Sequence, residues 1–141
     1  MTVIPGNGIG CAGHMIVRAE PSGLSAARRH IGSVSRQLDL SDDEASDILL
    51  AVGEAVSNAY RHGTPDPCSG FIYLDWCYSG GVFTVSVGDD GPGIPHGTFS
   101  TLMSQAVPGA GCGLHLMRES VDELSLEFDQ GTRVILKKCC A

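Results

Sequence analysis

Apolar residues recur along this chain with two distinct periods, and the change from one to the other divides it into halves. Leu24, Ala27, Ile31, Val34 and Leu38 repeat at helical spacing, and Pro21 with Ser22 opens that run, which predicts a helix to about Leu38. A second run, Ala45, Ile48, Leu49, Val52, Ala55, Val56 and Ala59, follows Ser41 and Glu44, whose spacing is that of a capping box. Asp42 and Asp43 sit where the positive end of the helix dipole favours them, and Gly63, Pro65 and Pro67 end the run.

The period then shortens. Phe71–Tyr78 and Val82–Val87 read as strands joined by Ser79-Gly80-Gly81, and two closing strands near 124–129 and 132–138 meet at Gln130-Gly131. A short strand is predicted from His14 to Glu20, and a helix from Cys112 to about Asp122. Helices come first and strands later, with one helix inserted. This order predicts an α+β two-layer sandwich: a mixed, mostly antiparallel sheet covered on one face by helices. Residues 1–13 are glycine-rich and expected to be a flexible segment, 14–138 a single folded domain, and 139–141 a frayed end.

Composition narrows the functions open to such a domain. The 141 residues carry a net charge of −7, which argues against a broad nucleic-acid footprint or an anionic membrane surface. Phosphates remain possible ligands, because backbone N–H groups and a metal ion can hold them without a basic patch. The six cysteines show no CxxC or zinc-ligand spacing, so reduced thiols in a cytoplasmic protein are expected. The first residues lack the basic start and long apolar run of a signal peptide, so no leader is expected, and no run of about 20 apolar residues occurs. Gly8, Gly10 and Gly13 satisfy G-x-G-x-x-G, but no strand fits before them, and the match is read as chance.

Three constellations carry chemistry. Glu54 and Asn58 are four apart on the second helix and share a face, with His62 one turn further along. A carboxylate there can act as a general base and an amide oxygen can hold Mg²⁺, although a solvated polar stripe would look the same. Asp89-Asp-Gly91-Pro-Gly93-Ile94 follows a strand directly; such an acid can accept a hydrogen bond from adenine, and the glycines let backbone approach a flat ligand. An ordinary turn would fit those residues as well. Gly109-Ala-Gly111-Cys112-Gly113-Leu114 leads straight into a helix, exposing several N–H groups to one anion. No Gly-Lys-Ser/Thr follows, so this is not a Walker A loop.

In this order the three segments resemble the N, G1 and G2 boxes of the GHKL ATPase superfamily, shared by gyrase, histidine kinases and mismatch-repair ATPases. Gly131-Thr132 is similar to the Gly-Thr that closes the adenine pocket there. Within that superfamily the short chain and Gly113-Leu-His-Leu-Met-Arg118 resemble most the stand-alone anti-sigma-factor serine kinases. The resemblance implies the Bergerat fold, ATP and Mg²⁺ as ligands, a sigma factor held from RNA polymerase, and a small antagonist protein phosphorylated on serine. Carried over, Glu54 would be the base, Asn58 the Mg²⁺ ligand, Asp89 the adenine reader and Thr132 its support. Gly91, Gly93 and Ile94 would line the adenine; Gly109, Gly111, Cys112, Gly113 and Leu114 would wrap the phosphates, with His62 nearby. Relatives pair through their N-terminal strand and first helix, which implies a homodimer here, with the partner near Arg28, Arg29 and Arg36. The alternative is an ATP-dependent binding module of the same fold without kinase activity. Its support is that no Lys or Arg stands between Pro92 and Met117 to meet a γ-phosphate.

Overall fold

The computed structural model describes residues 2–4, 10–62, 70–91, 112–128 and 131–140. The elements run β1 (Thr2–Ile4), β2 (Gly10–Arg18), α1 (Pro21–Gln37), α2 (Asp42–His62), β3 (Phe71–Ser79), β4 (Val82–Asp89), α3 (Cys112–Ser120), β5 (Glu123–Phe128) and β6 (Thr132–Cys139). The strands form one six-stranded sheet in the order β1-β2-β3-β4-β6-β5. Every pairing among the described residues is antiparallel.

Alternation decides which sheet face is covered. On β3, Ile72, Leu74 and Trp76 are buried while Phe71, Asp75 and Cys77 are exposed; on β4, Phe83, Val85 and Val87 belong to the core. These residues meet Ala27, Ile31 and Val34 of α1, Ile48, Val52, Ala55 and Val56 of α2, and Met117 of α3. The helical layer therefore lies on one face, and the other is left to solvent, as an antiparallel sheet allows.

Local chemistry sets the element ends. The capping box is made in both directions: Glu44 N donates to Ser41 Oγ at 3.1 Å, and Ser41 N donates to Glu44 Oε1 at 2.9 Å. The β3–β4 hairpin turns on Gly80 (φ 59°) and Gly81 (φ 79°), the positive pair that a two-residue type I′ loop needs.

Two expectations are corrected at the termini. Thr2–Ile4 pairs with β2, and β2 starts at Gly10 rather than His14, because Tyr78, Cys77 and Trp76 of β3 supply partners for Cys11, Ala12 and Gly13. At the other end Cys139 and Cys140 are tied rather than frayed. Cys139 pairs with Val82 and donates its N–H to Asp122 Oδ2 at 2.6 Å, while Cys140 N donates to Gly81 O at 2.7 Å. Cys11, Cys77, Cys139 and Cys140 are free.

Candidate functional site

The second helix sets one wall. At roughly 3.6 residues per turn, Glu54 and Asn58 fall on the flank of α2 opposite Leu49 and Gly53. Helix α1 occupies that opposite flank: a Cβ at Gly53 would stand 3.2 Å from Arg28 Nε, and one at Gly32 would stand 3.6 Å from Leu49 Cδ2. Glu54 and Asn58, both half-buried, are thus left on the side where α3 packs against α2. The amide of Asn58 is already engaged, since Arg61 Nη2 donates to its Oδ1 at 2.8 Å.

The end of β4 sets the facing wall. Asp89 follows the buried Val87 by two residues, so alternation turns its carboxylate to the helical side. Its Oδ1 accepts from Gly91 N at 2.9 Å and, at 3.5 Å, from Thr132 N at the start of β6. Burial lifts the Asp89 pKa above the usual carboxylate value, and the two backbone donors oppose that shift without cancelling it. Gly131 brings the two strand ends together. It adopts φ 133°, and a Cβ there would collide with the Asp89 carbonyl oxygen, so only glycine fits both the backbone and the contact.

Thr132 beside them is buried, and its Oγ1 has no hydrogen-bond partner among the described residues. Trp76 Nε1 shares that condition, but it stands four residues along β3 from Ile72, the pairing partner of Asp89. A buried hydroxyl without a partner next to a desolvated carboxylate is an arrangement that a polar ligand or its water would complete.

Helix α3 starts at Cys112, so its first turn, including Gly113 and Leu114, presents backbone N–H groups at a helix N-terminus. The far end of α3 is fixed by Lys138, whose Nζ donates to Ser120 O at 3.2 Å and to Asp47 Oδ2 of α2 at 3.0 Å. That bridge holds α3 against the helix that carries Glu54 and Asn58.

The structure thus gathers Glu54 and Asn58 on one wall and Asp89, Gly91 and Thr132 on the other. Gly93, Ile94, Gly109 and Gly111 lie outside the described residues, as do the side chains of His62, Cys112 and Leu114. Two residues that the sequence reading passed over belong to the same geometry. Arg61 is three residues beyond Asn58, a spacing that brings helical side chains together and could have marked it. Tyr73 donates its hydroxyl to Asp90 Oδ2 at 2.7 Å, a contact that only the strand register reveals.

Comparison with known proteins places this fold in a family. Residues 17–138 match the family model of the histidine kinase-like ATPase domain. An anti-sigma F factor from Geobacillus stearothermophilus is 32% identical over 133 residues, covering 89% of this chain and 90% of the relative. The anti-sigma F factor of Bacillus subtilis (strain 168) is 29% identical over the same shares. Among solved structures, the RsbU and RsbW domains of Rv1364c from Mycobacterium tuberculosis superpose with a TM-score of 0.71 at 21% identity, covering 92% of this chain and 32% of that one. The histidine kinase domain from Erythrobacter litoralis EL346 superposes with a TM-score of 0.56 at 24% identity, covering 82% and 60%, and both structures support the fold alone. The chain belongs to the histidine kinase-like ATPase family of GHKL type, in the company of the anti-sigma F factors, a membership that implies ATP binding.

Proposed function

We propose that this protein is an anti-sigma-type serine kinase: it binds a sigma factor, and transfers the γ-phosphoryl group of ATP to a serine of a small antagonist protein. The observation that carries the nucleotide site is the Asp89–Thr132 pair, a desolvated carboxylate beside a buried hydroxyl with no partner among the described residues. Adenine fits that pair, because its exocyclic amino group donates to the carboxylate while Thr132 Oγ1 bonds the ring or its water. Guanine offers a carbonyl where adenine offers the amino group, and would set acceptor against acceptor.

The walls divide the chemistry between them. Glu54, half-buried on α2, takes the proton of the incoming serine hydroxyl as its oxygen bonds to the γ-phosphorus; the bond to the β–γ bridging oxygen breaks and ADP leaves. The Asn58 amide oxygen, once Arg61 swings away from it, would hold Mg²⁺, which when bound neutralises charge on the phosphates. The first turn of α3 would supply backbone donors for those phosphates, and Gly91 would line the base, a role that the resemblance extends to Gly93 and Ile94. The relatives that this chain matches are named anti-sigma F factors, which supports a sigma factor as partner; the antagonist protein as substrate rests on the resemblance to the anti-sigma-factor serine kinases. Arg28, Arg29 and Arg36 are exposed on α1 and suit an acidic partner surface; pairing of two copies through β1, β2 and α1 belongs to the same reading.

The deciding experiment incubates the protein with γ-labelled ATP and candidate small antagonist proteins, with wild type beside Glu54→Gln. Label on antagonist serine with wild type, slowed about 10²–10⁴-fold in the variant at similar ATP affinity, supports the kinase. ATP-dependent partner binding with no transfer identifies the binding module instead.

A further inference from the structure

Asp89 and Asp90 are consecutive, and strand alternation sends their side chains to opposite faces of the sheet. Asp89 turns towards the helices, where its Oδ1 meets Gly91 N and Thr132 N. Asp90 turns to the solvent face, where its Oδ2 accepts the Tyr73 hydroxyl at 2.7 Å. Tyr73 lies between the buried Ile72 and Leu74, so it too stands on the solvent face.

The register explains how the two meet. Tyr73 pairs with Gly88, and Asp90 is two residues beyond Gly88 on the same face, the diagonal position that an aromatic side chain can reach. Gly88 has no side chain to stand between them. The bond to Asp90, followed by burial and the Asp90 charge, raises the Tyr73 pKa, so the phenol keeps its proton and remains the donor.

The strength of this contact stands out against the others that hold the strand end. The last β3–β4 pair is Ile72 with Asp89, so Asp90 is the first residue to leave the sheet. The Gly91 bond to Asp89 spans two residues and moves with the turn itself. The Thr132 bond reaches across from β6 but is 3.5 Å long, at the edge of what counts as a hydrogen bond. The Tyr73–Asp90 bond is short, charge-assisted and spans 17 residues of sequence.

We propose that Tyr73 is a positioning residue for base recognition: by anchoring Asp90 on the solvent face, it fixes the direction in which Asp89 presents its carboxylate to adenine on the other. This rests on the reading of Asp89 as the adenine reader. Tyr73 touches no ligand; it acts through the Asp89–Asp90 backbone.

The test titrates ADP and GDP, with Mg²⁺, into wild type, Tyr73→Phe, Asp90→Ala, Asp90→Asn and the Tyr73→Phe/Asp90→Ala double variant, with thermal melts alongside. Tyr73→Phe and Asp90→Ala each weaken ADP about three- to tenfold and narrow the ADP-over-GDP preference by a similar factor. The double variant is no worse than either single one, because one bond is lost in all three. Asp90→Asn keeps an oxygen acceptor for the phenol and stays within about twofold of wild type. Asp90→Ala attacks the bond from the exposed side, so a folding defect in Tyr73→Phe leaves the test intact. Wild-type affinity in Tyr73→Phe and Asp90→Ala overturns the proposal, as do additive losses. A merely structural role is shown by ADP and GDP weakening equally, with the preference unchanged. Wild type with no preference for ADP over GDP overturns the adenine site itself; a preference that survives loss of the phenol overturns only the anchoring role.

Discussion

Replacing Asp89 by Asn changes two atoms and tests the nucleotide site directly. In the wild type Oδ1 is used by the N–H groups of Gly91 and Thr132, which in the proposed complex would leave Oδ2 for the adenine amino group. An amide cannot serve both sides. With its oxygen on the backbone donors its NH₂ faces the adenine amino group, donor against donor; turned round, it faces the two backbone N–H groups instead. Either way a charge-assisted hydrogen bond of roughly 1.5–3 kcal/mol is lost, about a 10- to 150-fold fall in affinity for ATP. Folding should not suffer in step, because the Asp89 charge is already opposed by burial and the amide removes it. Calorimetry with ATP and GTP, paired with a thermal melt, separates the two effects. An Asp89→Asn protein that binds ATP within about threefold of wild type at an unchanged Tm would refute the role given to this carboxylate.

Three further outcomes follow from the same geometry. Arg61 is the cation bonded to Asn58, so Arg61→Ala should lower ATP affinity by about five- to tenfold and ADP affinity by less; equal losses measured by calorimetry would leave Arg61 without a role at the γ-phosphate. Lys138→Met removes a largely buried ammonium from Asp47 and Ser120 O, and since Asp47 is 44% exposed and partly screened, the loss should be about 1–2 kcal/mol, a fall in Tm of roughly 3–8 °C. An unchanged melt would mean that solvent replaces the bridge. Because burial raises the Asp89 pKa, the native state holds more protons than the unfolded chain between the ordinary and the raised value, so the contribution of this group to stability falls as pH rises through that window. Adenine recognition runs the other way, and the ratio of wild-type to Asp89→Asn affinity for ADP should shrink towards one as pH falls through the raised value. A ratio that holds constant down to the ordinary carboxylate range, about pH 4, would contradict the shift.

The parts of this site that were legible in the sequence are those that local rules determine. A capping box, a 3.6-residue period and an i, i+4 pair place Glu54 and Asn58 on α2 and on one face before any tertiary contact is known. The glycine pair at 80–81 fixes a hairpin and hence the register that carries Asp89 to a strand end. Arg61 apart, which its i, i+3 spacing to Asn58 could have marked, the misses are tertiary. Gly-Cys-Ala-Gly is a poor strand former by composition, and it is strand only because Trp76, Cys77 and Tyr78 offer partners. Cys139 and Cys140 look like a loose tail until Val82, Asp122 and Gly81 are seen to hold them. Tyr73 and Asp90 are 17 residues apart, and nothing short of the β3–β4 register sets one diagonal to the other.

The two ends of the central strand are built to opposite standards. At the Phe83 end, Lys138 joins β6, α2 and α3 through bonds of 3.0 and 3.2 Å. At the Asp89 end a carboxylate is held at a raised pKa, the Thr132 hydroxyl is buried without a partner among the described residues, and Gly131 sits in a backbone conformation closed to other side chains. Each of these features lowers stability in isolation, and a chain selected for folding alone would replace the first two with apolar side chains. Their concentration at one strand end, on the side where Glu54 and Asn58 are left free of α1, is what a site completed by its ligand requires. A ligand bound there would return stability as RT ln(1 + [L]/Kd), about 2.7 kcal/mol at a hundredfold excess over Kd, at the end of the sheet that lacks it.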